Sequence, residues 1–281
     1  MKTVKSFDGT KIAYYKRQGN KEKPTLVFLH GVGGNYTTWN KELEFFEKKK
    51  YPCIAVDLRG HGESDVPDEF EKYSTEAFAK DLDVILDKEK IESFVLIGHS
   101  LGGCIALTFH LLSKKSAEAI TLIEPSIVYP FNHDQLLNHS SFTTKLLRKI
   151  AYNHKLRSEH FPHFQDIDLS LKGVTEYAHI IKHLLQITPI RSIIYSLDQN
   201  EKYMHEHFKD MKKFVKSFEH PLLVISSDDD DVCLPENAKA ICQLNKKHAT
   251  FYLLSHAGHK SIITHPKEVS FTIFSFLEHV K

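Results

Sequence analysis

The sequence predicts an α/β fold: a mostly parallel sheet flanked by helices. Three observations carry that expectation. Continuous apolar runs recur at 25–29, 53–56, 94–97, 119–123, 221–225 and 250–254, and runs that do not alternate suit strands covered on both faces. Helical patterns fall between them, near 37–49, 75–88, 101–113, 235–245 and 266–280; strands alternating with helices build parallel sheets with ligands at the strand carboxyl ends. The third is the five-residue turn Gly98-His99-Ser100-Leu101-Gly102, set between the run Phe94-Val95-Leu96-Ile97 and the helical stretch Gly103-Cys104-Ile105-Ala106-Leu107.

Taken in chain order, Val4–Phe7 and Lys11–Tyr15 flank Asp8-Gly9-Thr10, a hairpin whose Asp-Gly turn tolerates positive φ. Trp39, the single tryptophan, is expected to pack at the start of a core helix, and Lys48-Lys49-Lys50 to form its solvated end, where cations suit the helix dipole. Pro235 and Pro266 fit the first turn of the last two helices, where a missing N–H costs nothing. Between about 129 and 218 the rhythm breaks. That stretch is rich in histidine and aromatic residues, with helical patterns near 134–151, 172–186, 189–197 and 205–216, and ~90 residues are too many for a structureless loop.

The G-x-S-x-G turn predicts chemistry. A serine on a sharp strand-to-helix bend is lifted clear of the sheet edge, and small flanking residues leave room for neighbouring backbone. Ser100 is therefore read as a nucleophile rather than a helix cap, which would leave the paired glycines unexplained. Its hydroxyl needs a base, and the base a carboxylate that fixes its tautomer. Downstream, Pro221-Leu222-Leu223-Val224-Ile225 runs into Ser226-Ser227-Asp228-Asp229-Asp230-Asp231, and Thr250-Phe251-Tyr252-Leu253-Leu254 leads to Ser255-His256-Ala257-Gly258-His259. Acid and base candidates thus follow successive strands, with His256 a rival to His259.

On these residues the chain resembles the α/β-hydrolase fold superfamily, in its serine esterase and lipase-like branch. His30-Gly31-Val32-Gly33-Gly34 resembles that family's oxyanion loop, and Asp57-Leu58-Arg59-Gly60-His61-Gly62-Glu63-Ser64 its D-x-R-G-x-G-x-S turn. The resemblance implies an eight-stranded, mostly parallel sheet with a core of 1–128 and 219–281 and a helical cap over 129–218. It implies a triad of Ser100, Asp230 and His259, with the backbone N–H groups of Val32 and Leu101 as oxyanion donors. Asp230 takes the catalytic place in the family's strand-G-x-x-D-x-V pattern, although Ser227 stands where the glycine is usual; Asp229, Asp231 and Glu124 stay open as alternatives. The implied activity is hydrolysis of carboxylic esters of small to medium acyl chains through an acyl-enzyme. Lactones and carbon–carbon bonds are alternative substrates, and a non-catalytic ligand receptor is an alternative of another class. Asp57 and Arg59 are expected to tie down their turn through a salt bridge, and His30 and His99 to orient loops without reacting.

Composition excludes several other classes. With 37 basic and 36 acidic side chains the formal net charge is +1, so nothing steers the chain toward nucleic acid or an anionic membrane. No apolar run approaches the ~20 residues of a membrane span, and the N-terminus does not read as a signal peptide. Cys53, Cys104, Cys233 and Cys242 show no C-x-x-C spacing, which suits free thiols in a reducing cytoplasm. His179 and His183 share a helical face, but no third ligand accompanies them, and no G-K-S/T follows the glycines of HGVGG. The expectation is a cytoplasmic enzyme that uses no cofactor or metal and acts on a small-molecule ester or lactone as a monomer or homodimer.

Overall fold

Alternate residues of each apolar run reach opposite faces of one sheet, and each face finds its own helices. In the computed structural model, which describes residues 1–127 and 188–279, the strands are β1 (Lys2–Lys5), β2 (Lys11–Arg17), β3 (Thr25–Leu29), β4 (Cys53–Val56), β5 (Phe94–His99), β6 (Ala119–Ile123), β7 (Leu222–Ser227) and β8 (Ala249–Leu254). They form one eight-stranded sheet in the order β1-β2-β4-β3-β5-β6-β7-β8. β2 runs antiparallel to both β1 and β4, and every later pair is parallel. The register aligns the strand ends: Leu29 lies opposite Gly98, His99 opposite Ile123, and Ser227 opposite Leu254. The loops leaving these strands therefore share one edge, as expected of a parallel sheet.

The described helices are α1 (Asn40–Lys48), α2 (Thr75–Glu89), α3 (Leu101–Leu112), α4 (Ile190–Ser217), α5 (Pro235–Leu244) and α6 (Pro266–His279), with single turns between some of them. Val27, Leu29, Leu96, Leu122 and Val224 pack toward α2, α3, α4 and α5 through Phe78, Leu82, Ile105, Met211 and Ile241. Their strand neighbours Leu26, Phe28, Val95, Ile97 and Ile225 pack toward α1 and α6 through Phe46, Val269 and Ile273. Burying one such side chain contributes about 1.5–3 kcal/mol, so the two layers dominate the stability of the core. Trp39 is buried just before α1, its ring 5.2 Å from that of Phe28. Ser74 caps α2 by accepting the Ala77 N–H at 3.2 Å. All four cysteines are free, and no described helix is long and apolar enough to cross a membrane.

Two readings change. The patterns near 189–197 and 205–216 are one helix, α4, of 28 residues. The polar stretch Ser196-Leu197-Asp198-Gln199-Asn200 carries no glycine or proline, so nothing interrupts the backbone ladder there. α4 packs along α3 and α2, burying Tyr203, Met204, Met211 and Val215. Arg59 does not pair with Asp57. The fully buried Arg59 side chain bonds Asp81 through Nε at 2.7 Å and Nη2 at 2.6 Å, and Asp8 through Nη1 at 2.9 Å. Asp57 instead accepts the backbone N–H groups of Tyr36 and Glu63 at 2.6 and 2.8 Å. The Asp57 carboxylate is taken up by these backbone donors, and two aspartates distant in sequence reach the guanidinium instead. Of the expected cap over 129–218, residues 129–187, including His179 and His183, lie outside the described residues.

Candidate active site

Ser100 ends β5 and begins α3 with φ 50° and ψ −115°, a left-handed conformation that is costly for any residue but glycine. Close packing holds it there. A Cβ on Gly98 would collide with the Gly102 carbonyl, and one on Gly102 with the Leu29 carbonyl at the end of β3. The HGVGG loop leans on the same bend, since a Cβ on Gly31 would stand 2.8 Å from His99 Nδ1 and 3.3 Å from the Ser100 Cβ. His30 braces that loop. Its Nδ1 hydrogen donates to the Gly31 carbonyl at 2.7 Å and its Nε2 accepts the Leu58 N–H at 3.1 Å. Complete burial, reinforced by nearby His61, holds its pKa well below the usual imidazole value, so it stays neutral. Leu101 opens α3 directly after the serine, where the first backbone N–H groups lack intrahelical partners, and Val32 follows Gly31 in the loop that leans on this bend.

The elements after β7 and β8 bring the remaining groups. Ser100 Oγ lies 3.1 Å from His259 Nε2, and His259 Nδ1 lies 3.0 Å from Asp230 Oδ2. Asp230 is buried, and its other oxygen accepts the N–H groups of Val232 and Cys233 at 2.9 and 2.8 Å. With an acceptor at Nδ1 and a hydroxyl at Nε2, the imidazole carries its proton on Nδ1 and offers Nε2 as a base. The rival acids go elsewhere. Asp229 is exposed and bonds the Ser227 hydroxyl and the Gly258 N–H, which hold its carboxyl below the usual pKa. His256 sits on the surface at φ 55°, and Asp231 is exposed.

Glu124 is the alternative acid that comes closest. It is fully buried, with one oxygen 4.0 Å from His259 Nδ1 and 2.7 Å from His99 Nε2, and the other accepting the Ser261 N–H at 3.0 Å. His99 Nε2 also reaches the His259 carbonyl, 3.2 Å away. His99 and Glu124 thus tie the serine's own strand to the base-bearing turn, the loop-orienting part expected of His99, with Glu124 as a partner the sequence did not assign to it. Sequence reasoning also missed Ser227. Its hydroxyl accepts the Ala257 and Gly258 N–H groups at 3.1 and 3.0 Å, clasping the acid loop to the base loop at the position where glycine was expected. The signal was the serine itself, because a hydroxyl beside two loops needs partners. Among the described residues, two groups of side chains are dense enough for a cation, His99 with Glu124 and His259, and exposed Asp228 with Asp229 and His256. In the first, the ring nitrogens facing the carboxylates already serve protein hydrogen bonds.

Comparison with known proteins agrees with this architecture. The family model described as alpha/beta hydrolase fold matches residues 24–266. The Mycoplasma genitalium protein named "Putative esterase/lipase 2" is 24% identical over 93% of this chain and 91% of its own. Human epoxide hydrolase 4 is 25% identical over 94% of this chain and 75% of its own. An esterase from Exiguobacterium antarcticum superposes with a TM-score of 0.74 at 19% identity, over 98% of each chain. The enol-lactonase from Burkholderia xenovorans LB400 gives 0.74 at 18% identity, over 99% of this chain and 100% of its own. A strand-flanked serine in contact with an imidazole, inside a matched fold spanning most of the chain, leads to one conclusion: this protein is a hydrolase that belongs to the α/β-hydrolase fold family.

Proposed function

We propose that the protein is a serine esterase that cleaves carboxylic esters of small to medium acyl chains through a covalent acyl-enzyme. The observation that carries this reading is the relay from Ser100 Oγ through His259 to Asp230, with contacts of 3.1 and 3.0 Å. As Oγ attacks the ester carbonyl, His259 Nε2 takes the hydroxyl proton, and the Asp230 carboxylate stabilises the imidazolium that forms. The negative charge gathering on the carbonyl oxygen is met by the N–H groups of Leu101 and Val32. The imidazolium returns its proton to the leaving alcohol. Water then attacks the acyl carbon, giving its proton to the same nitrogen, and the acid departs.

The nucleophile's chemistry also narrows the substrate among the relatives' activities. An alkoxide opening an epoxide would leave an ether on Ser100, which water does not cleave under mild conditions. Attack on an ester or lactone carbonyl leaves an acyl group that water removes. Carbonyl substrates therefore suit a serine elbow, and epoxides suit a carboxylate. A lactone is the cyclic case of the same reaction and falls under the same proposal.

A panel of p-nitrophenyl esters of graded acyl length, with lactones alongside, tests the reading. The expected result is turnover by the wild type, none by Ser100→Ala, and a fluorophosphonate mass increment confined to Ser100. A folded wild type that turns over no member and takes no label would overturn the proposal in favour of a ligand receptor.

A further inference from the structure

The two edges of the sheet are finished differently. β1 is four residues long with a lysine at each end, and Lys2 Nζ is 3.0 Å from Glu89 Oε1. Short length and lysines are devices that keep an edge from pairing with another strand. β8, at the opposite edge, reads Ala249-Thr250-Phe251-Tyr252-Leu253-Leu254, without charge or proline, and pairs with β7 alone among the described residues. Tyr252 is 37% exposed, Leu253 42%, and Phe271 on neighbouring α6 63%. Tyr252 Oη lies 3.0 Å from Glu268 Oε1, which places it beside α6.

Backbone parity identifies what this edge offers. The Leu222 N–H donates to the His248 carbonyl at 2.9 Å and the Asp228 N–H to the Leu254 carbonyl at 3.0 Å. The even-numbered backbone groups of β8 therefore face β7. Since alternate residues of a strand direct their N–H and C=O groups to opposite sides, those of Ala249, Phe251 and Leu253 face outward.

We propose that this edge is the interface of a homodimer, in which β8 of one copy pairs antiparallel with β8 of the other across a two-fold axis at Phe251. That register sets Phe251 opposite Phe251, and Ala249 of each copy opposite Leu253 of the other, and it engages every outward N–H and C=O of the strand. It is the only symmetric register that uses all three residues on both copies. Exposed Leu253 then covers Ala249 on one face of the joined sheet, and Tyr252 meets Thr250 on the other, beside Phe271. Charge complementarity favours the same register. Exposed Lys246 and Lys247, just before β8, fall opposite His256 and Ser255 of the other copy. At that end stand exposed Asp228, whose Oδ1 is 2.8 Å from the His256 nitrogen, and exposed Asp229, 2.8 Å from that of Gly258. A two-fold axis makes the lysine–aspartate meeting occur twice, and a formal net charge of +1 leaves little repulsion between whole copies.

Sedimentation velocity of the full chain, read alongside far-UV circular dichroism and ester turnover, tests the proposal independently of the catalytic reading. The wild type is expected to be a dimer at micromolar concentration. Leu253→Pro removes an outward N–H and the side chain that covers Ala249 while leaving the β7–β8 hydrogen bonds in place, so it should raise the dissociation constant at least tenfold with the dichroism spectrum unchanged. The pair Lys246→Glu and Lys247→Glu should weaken the dimer by a similar factor, and wild-type dimerisation should weaken on going from low salt to 1 M salt. A wild type that is monomeric at 100 μM in low salt would overturn the proposal, and so would a dimer that neither variant weakens. Loss of the dimer with ester turnover retained supports it, whereas loss of turnover in the wild type bears only on the catalytic proposal.

Discussion

The two halves of the candidate site are held by different forces. The serine half, formed by the ends of β3 and β5 and the start of α3, is fixed by atoms in contact. Gly98, Gly102 and Gly31 leave no room for a methyl group, and Ser100 keeps a positive φ because its surroundings allow no relaxation. The acid–base half, on the loops after β7 and β8, is fixed by hydrogen bonds. Ser227, Asp228 and Asp229 hold the backbone of residues 256–258, and Glu124 holds that of Ser261. The first half should therefore be intolerant of added volume. The second should tolerate volume and respond to lost donors and acceptors.

That contrast can be broken or sharpened by experiment. The largest effect belongs to the proposed nucleophile: Ser100→Ala should lower kcat by about a millionfold with the fold intact, as removal of a triad serine does. Asp230→Asn should lower it about ten-thousandfold by presenting the wrong imidazole tautomer; a loss below a hundredfold would assign the acid to Glu124, which already lies 4.0 Å from His259 Nδ1. Gly102→Ala adds one methyl group against the Leu29 carbonyl. It should cost about 1–3 kcal/mol in urea denaturation and about a hundredfold in kcat, because a misplaced nucleophile loses its near-attack geometry. Wild-type stability and rate in that variant would show that the bend is not held by packing. Ser227→Ala removes the clasp between the two loops and should cost about tenfold in kcat with KM little changed.

The smallest effect is a slope. Neutral, buried His30 braces the serine half, and its folded pKa lies well below the usual value because of burial. The unfolded chain takes up a proton there as the pH falls below about 6.5, while the folded chain does not, so its stabilising contribution is present above that pH and is lost as the pH falls toward the folded value. The unfolding free energy from urea titration should drop between pH 7 and pH 5.5 by about 1 kcal/mol more in the wild type than in His30→Asn. Equal slopes would remove His30 from the account.

How far the sequence could be read follows the same division. The strand-turn-helix setting of Ser100 lies within a dozen consecutive residues, and β3 to β7 were legible as runs because each is buried on both faces; β8 is an equally apolar run although much of it is exposed. Asp230 was harder, since four successive aspartates present the same chemistry and only packing decides which one is buried. Arg59 shows the opposite failure. A neighbour in sequence, Asp57, was favoured, but Asp81 and Asp8 come from separate elements that only the folded chain brings to the guanidinium. Helix α4 reads as two segments because its polar residues Ser196, Gln199 and Asn200 look like a break, whereas the folded chain buries them.

By itself, the sequence determined the layered α/β architecture, the sharp bend carrying Ser100, and the order of serine, carboxylate and histidine. Local periodicity and turn chemistry are properties of adjacent residues, so they survive without coordinates. Tertiary structure alone decided which aspartate faces His259, how Ser227, His99 and Glu124 bind the two halves together, and which edge of the sheet is unpaired among the described residues. Those depend on atoms far apart along the chain meeting at hydrogen-bond distance, and no short stretch of sequence encodes such a meeting.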